Sequence, residues 1–234
     1  MADPSELNIV ALGDSITYDV NHATGWVAQL QAMFPGAQIT NAGVPSDTLE
    51  QMAVRMQNYT PEPGKLNIMI IWGGTNDLAS IGPGDTPDLL SSLVTQANND
   101  GWQTWVVNTL PRWCFSLSEV AGFDASEQNV VTSLDAQSAV PENQYIDMYS
   151  HFLTSSGTVN TSLYNESPEY THPNAQGDAV ITGVMSGYIQ QALSNNTLTA
   201  ANVAFSNLTP GNMSGGVDSF GLSKGQSSLF ATQS

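Results

Sequence analysis

The 234-residue chain is poor in positive charge, in cysteine and in long apolar runs. Only Lys65, Lys224, Arg55 and Arg112 stand against 21 carboxylates, giving a formal net charge of −17. So few cations argue against nucleic-acid backbones and anionic membrane surfaces as partners. One cysteine, Cys114, excludes an internal disulfide and any cysteine-rich zinc site. Three histidines are too few for a histidine cluster, so no metal is expected. The longest apolar runs, Leu66 to Trp72 and Ala179 to Met185, fall far short of the about 18 residues that span a bilayer. Met1 to Glu6 carry neither a basic start nor an apolar segment, so no signal peptide is expected there. Charge of either sign is itself scarce, 11% against about 25% in an ordinary soluble domain. The acids are therefore not enriched; the bases have been removed. Such a polar, uncharged surface suits an extracellular or acidic setting, and compositional bias of the source lineage explains it equally well.

What is present is a regular alternation of strand-length and helix-length patterns in a chain that is 41% hydrophobic, enough for a packed core. Leu7 to Leu12, Gln38 to Asn41, Leu66 to Trp72, Thr104 to Thr109 and Gln144 to Met148 read as strands. Between them lie helical patterns over Gly25 to Phe34, from Asp47 onward with Asp47 as cap, over Pro87 to Asn98 with Thr86 as cap, and over Ser126 to Ser138. An amphipathic helix over Asn174 to Leu193 follows. Five such alternations predict a five-stranded parallel sheet with helices on both faces. Residues 1–194 are expected to form this domain. The Ser-, Asn- and Gly-rich residues 195–234 are expected as an extended wrap or a linker.

In a parallel sheet, chemistry gathers where strands end and loops begin. The first strand ends in Gly13-Asp14-Ser15-Ile16-Thr17, the second in Asn41-Ala42-Gly43 and the third in Gly73-Gly74-Thr75-Asn76-Asp77. Before the last helix stands Glu169-Tyr170-Thr171-His172-Pro173-Asn174. Acyl transfer needs a hydroxyl with a neighbouring base, a carboxylate to orient that base, and fixed donors for the tetrahedral oxyanion. Ser15 offers the hydroxyl, His172 the base and Glu169, three residues earlier, the carboxylate. Ser15 and Gly43 offer backbone N–H groups and Asn76 a side-chain amide. Gly43, lacking Cβ, is expected to let substrate approach the main chain.

These four blocks, in this order, resemble the SGNH (GDSL-type) hydrolase superfamily. Its Ser, Gly, Asn and His markers fall on Ser15, Gly43, Asn76 and His172, over about residues 7 to 194. The resemblance implies a three-layer α/β/α flavodoxin-like sandwich and a Ser-His-acid triad. It also implies an oxyanion hole from the N–H groups of Ser15 and Gly43 and the side chain of Asn76. The family usually carries Asp three residues before the histidine; here it is Glu169, with Glu166 and Asp178 as nearby rivals. His151 is the rival base, and His22 could touch substrate. Asp14 and Asp77 read as loop anchors, and Arg112 as a surface ion-pair residue or a carboxylate ligand. Trp72, Trp113, Tyr18, Tyr164 and Tyr170 are read as either core or an aromatic substrate wall, and Cys114 as buried and inert.

The expectation is thus a cofactor-free serine esterase working through an acyl-serine intermediate. A small ester or an acetylated polysaccharide is the expected substrate, and no nucleic-acid or membrane partner is expected. Short-chain lipid ester or thioester hydrolysis is the alternative reaction, and a non-catalytic carbohydrate-binding module on the same fold is the alternative class.

Overall fold

The computed structural model describes residues 3–18, 24–80, 86–112, 116–137, 143–165 and 170–206. Strand β1 (Leu7–Gly13) is buried at every position, as expected of a strand covered on both faces that is apolar except at Asn8, whose amide donates to Asn67 Oδ1. It leads directly into the single turn α1 (Ser15–Tyr18), then α2 (Trp26–Met33) and β2 (Gln38–Gly43). Next come α3 (Leu49–Met56), β3 (Leu66–Trp72), α4 (Thr75–Ser80), α5 (Thr86–Asn99) and β4 (Gln103–Val107). Helix α6 (Leu117–Gln137), β5 (Gln144–Ile146) and α7 (Ala175–Ser206) complete the order.

The five strands are all parallel, in the order β2-β1-β3-β4-β5. Alternate residues of each strand feed two separate cores. Ile9, Ala11, Ile68, Ile70 and Trp105 pack with Trp26 and Leu30 of α2 and with Ile181, Met185 and Ile189 of α7. Val10, Leu12, Met69, Ile71 and Val106 pack with Met52 and Met56 of α3, with Leu90 and Val94 of α5 and with Val131 of α6. Two helices thus cover one face and three the other, which is the three-layer α/β/α arrangement. After β2 the order doubles back across β1, so the crevice at the strand ends lies between β1 and β3. Gly13 pairs in register with both Gly43 and Trp72, so the first three strands end level with one another.

Beyond shifts of one or two residues at strand ends, three helix termini differ from the sequence reading. Thr48, not Asp47, caps α3; its side chain and that of Gln51 form a reciprocal capping box. Helix α6 begins at Leu117, nine residues before the expected start. Helix α7 continues past Leu193 to Ser206, where a wrap or linker was expected; alanine and leucine at 198–204 are strong helix formers. The chain divides into two compact units, residues 1–193 and 194–234. Residues 207–234 lie outside the described residues.

Candidate active site

Ser15 opens α1 immediately beyond β1, and its hydroxyl meets the imidazole of His172: Oγ and Nε2 are 3.0 Å apart. The two residues are 157 positions apart in sequence. Each is half-buried, with a face left to solvent. The turn that presents Ser15 is fixed by Asp14, whose Oδ1 accepts the Ile16 N–H at 2.9 Å and whose carbonyl accepts the Tyr18 N–H at 2.9 Å. Asp14 is fully buried, and burial pushes its carboxyl up to about 7, against the Ile16 N–H and the nearby Arg112 charge.

His172 sits on a loop pinned from both sides. Its carbonyl accepts the Asn165 N–H at 2.9 Å, and the Asn165 amide reaches Pro173 O at 2.6 Å. Asn174 ties the loop to Ser162 O and Tyr164 O and caps α7 by accepting the N–H groups of Gln176 and Gly177. Tyr170 holds a left-handed backbone, φ 43°, which bulky residues seldom adopt. Glu166 and Glu169 lie outside the described residues. Asp178, expected to point to solvent, is instead buried: it shares the stripe of α7 with Ile181 and Thr182, three and four residues on. His151 stands exposed in the turn Tyr149–Phe152, where its charge acts on Asp147. His22 lies outside the described residues.

Gly43 has a packing reason besides the one expected. A Cβ there would lie 2.1 Å from Tyr18 N and 2.6 Å from Thr17 C, so the glycine lets α1 lie directly on the end of β2. Its own N–H donates to Asn41 Oδ1 at 2.9 Å, and the Asn41 amide reaches Thr17 O at 2.8 Å. Asn76, in the first turn of α4, donates from Nδ2 to Asp47 O at 2.9 Å and more weakly to Asp14 Oδ2 at 3.5 Å. The loop before it turns on Gly74 at φ +98°, where a Cβ would strike the Phe123 ring at 2.7 Å. Asp77 is fully buried and accepts the Leu49 N–H, tying the β3 loop to the start of α3. Burial raises its carboxyl above the ordinary range.

Of the expected aromatic wall, Trp72 is core, tilted against Trp26 at 5.7 Å. Tyr164 is core too, its hydroxyl donating to Pro111 O at 2.7 Å. Tyr18 and Tyr170 remain half-exposed beside Ser15 and His172. Trp113 and Cys114 lie outside the described residues. Arg112 is half-buried and donates from Nη1 to Thr75 O at 3.1 Å, at the start of α4. The sequence reading passed over Arg55, which pairs with Asp47 and donates to Ala42 O and Gly13 O. Its signal was scarcity: it is one of two arginines in the chain.

Chemically, the arrangement is a hydroxyl against an imidazole, at the head of a short helix. The family model for the GDSL-like lipase/acylhydrolase family matches residues 11–180. No curated protein matches the chain. Among solved structures, a GDSL-like lipase from Bacteroides thetaiotaomicron is similar at 17% identity and a TM-score of 0.61, covering 82% of this chain and 93% of its own. A psychrotrophic esterase from Pseudoalteromonas sp. is similar at 17% identity and a TM-score of 0.59, covering 80% and 98%. A lipolytic protein of the G-D-S-L family from Veillonella parvula is similar at 23% identity and a TM-score of 0.57, covering 75% and 94%.

Proposed function

Because the chain belongs to the GDSL-like lipase/acylhydrolase family and is a serine ester hydrolase, we propose that Ser15 is its nucleophile and His172 its general base. The observation that carries this assignment is the 3.0 Å approach of Ser15 Oγ to His172 Nε2. As Oγ attacks the ester carbonyl, Nε2 takes its proton and then returns it to the departing alcohol; water repeats the sequence on the acyl-serine. The negative oxygen of each tetrahedral intermediate is received by Ser15 N–H, Gly43 N–H and Asn76 Nδ2. In the free enzyme the Gly43 N–H is occupied by Asn41 Oδ1, so the oxyanion takes or shares that donor. The second Asn76 hydrogen, spent on a 3.5 Å contact with Asp14, is the one available to it. Glu169 is the proposed carboxylate behind His172, on its three-residue spacing.

The proposed substrate is a short acyl group, such as acetyl on a saccharide. Large apolar side chains exposed among the described residues are Met33, Val44 and Val54, and of these only Val44 adjoins the site. Half-exposed Tyr18 and Tyr170 suit a sugar ring.

Two assays test the reading. A fluorophosphonate should label Ser15, located by peptide mass spectrometry, and Ser15→Ala and His172→Ala should each lose nearly all turnover of p-nitrophenyl acetate while keeping wild-type circular dichroism. Acetate release from acetylated xylan should then exceed hydrolysis of octanoyl and longer esters. The reverse ranking would favour lipid esters, and an active Ser15→Ala enzyme would remove the nucleophile assignment.

A further inference from the structure

The guanidinium of Arg55 lies beneath the ends of β1 and β2 and makes three interactions at once. Nε pairs with Asp47 Oδ2, Nη1 donates to Ala42 O at 2.8 Å, and Nη2 donates to Gly13 O at 3.1 Å. Each partner leads to a different part of the site. The Ala42 carbonyl belongs to the same peptide unit as the Gly43 N–H. The Gly13 carbonyl ends β1 two residues before Ser15, and it also accepts the Val44 N–H at 3.0 Å, which locks the two strand ends together. The main-chain carbonyl of Asp47 is the acceptor of Asn76 Nδ2 at 2.9 Å. One side chain therefore touches the supports of both Gly43 and Asn76 without touching Ser15 or His172.

The electrostatics run the same way. A cation on the carbonyl of a peptide draws electron density from it, and the N–H at its other end becomes a stronger donor. A planar fork holds donors on three separate nitrogens in fixed directions, matching acceptors spread over two strand ends and Asp47; an ammonium gathers its three donors on one nitrogen and does not span them. Asp47 is buried and Arg55 largely so, which shields the pair from solvent and salt.

We propose that Arg55 is a positioning residue for the oxyanion hole, acting on the Gly43 N–H through the Ala42 carbonyl and on the Asn76 amide through Asp47. This rests on the reading of Gly43 and Asn76 as oxyanion donors, and its test must tell the two apart. The experiment compares kcat and KM on p-nitrophenyl acetate for wild type, Arg55→Gln, Arg55→Lys, Asn76→Ala and the Arg55→Gln/Asn76→Ala double variant, with thermal unfolding of each. Asn76→Ala is expected to lower kcat by about 10²–10³-fold, as loss of one such donor does. Arg55→Gln is expected to lower kcat about tenfold or more with KM within about threefold of wild type, and the double variant to fall well short of the product of the two losses. Arg55→Lys keeps the charge, so it is expected to retain most of the folding stability and still lose kcat. That variant decides the matter should Arg55→Gln not fold.

Fully multiplicative losses, or an Arg55→Lys enzyme with wild-type kcat, would overturn the positioning role and leave the oxyanion hole in place. An Asn76→Ala enzyme with unchanged kcat would overturn the oxyanion reading itself, and this inference with it.

Discussion

At position 43 an added Cβ would lie 2.1 Å from Tyr18 N, so Gly43→Ala is expected to lift α1 from the sheet edge and carry Ser15 with it. Overpacking of this kind costs about 1–3 kcal/mol. The expected result is a lower melting temperature together with loss of most esterase activity; an alanine variant that melts with wild type would show that the contact relaxes freely. Glu169 gives a second test at this scale. Glu169→Gln is expected to lose several orders of magnitude in kcat, whereas Glu166→Gln and Asp178→Asn remain near wild type. A Glu169→Gln enzyme within about threefold of wild type would assign the orienting role elsewhere, since loss of a triad acid costs far more than that. Single residues were unevenly legible in the sequence. Ser15 and Asn76 stand in short motifs at strand ends, which a parallel sheet brings to one edge, and His172 stands in a short motif before the last helix that can fold over that edge, so the meeting of Ser15 and His172 could be read. Arg55 could not be read this way, because its partners are main-chain carbonyls and such acceptors leave no residue-type signature.

Helix α6 shows what pattern reading misses at the level of an element. Its inward stripe is Val120, Phe123, Asp124, Glu127 and Val131, spaced three and four apart as an amphipathic helix requires. Two of those five are carboxyls, so a search for apolar periodicity finds only the C-terminal half of the helix. Burial pushes Asp124 up to about 8 and raises Glu127 well above its ordinary value, helped by repulsion from Asp124 and Asp77. Asp124 Oδ1 accepts the Thr109 N–H at 2.9 Å, while its Oδ2 and Glu127 Oε2 find no hydrogen-bond partner among the described residues. The sign of the pH effect follows. Both acids hold their protons more tightly folded than unfolded, so their contribution is greatest below the unfolded carboxylate pKa, about 4. It then declines as pH rises toward the folded values, and the Asp124 share is gone above about 8. Glu127→Gln keeps the shape and cannot ionise. It is expected to raise the melting temperature at pH 8 by about 2–4 °C for each ~1 kcal/mol recovered, and to leave it nearly unchanged at pH 4. Calorimetry at the two pH values checks this, and equal shifts at both would count against titration as the cause.

At the scale of the whole molecule, the sequence reading of a parallel five-stranded sheet inside an α/β/α sandwich agrees with the structure, because strands such as Leu66–Trp72, apolar except at Asn67, alternate with helical patterns and need cover on both faces. The strand order was not legible, since nothing in the run of a strand names its neighbour. The charge balance was legible and has consequences of its own. At pH 8 a net charge near −17 repels itself, so added sodium chloride is expected to raise the melting temperature there. In acid only four Lys and Arg and three His carry charge, so repulsion stays small and the fold is expected to persist to about pH 3. The lowered carboxyls of Asp147, Glu62 and Glu119 pull the other way, losing their contribution as they protonate. Near-UV circular dichroism against pH decides the balance; collapse already at about pH 4.5 would contradict it. The distance in sequence between Ser15 and His172 adds one more consequence, for the newly made chain. On a ribosome adding about 5–20 residues per second, Ser15 is synthesised about 8–30 s before the histidine 157 residues later. Through that interval the growing polypeptide holds an ordinary serine. With Ser15 as the proposed nucleophile, its reactivity toward esters is expected to arise in the cell only when the loop and helix that follow the last strand have been made and have folded back onto the first.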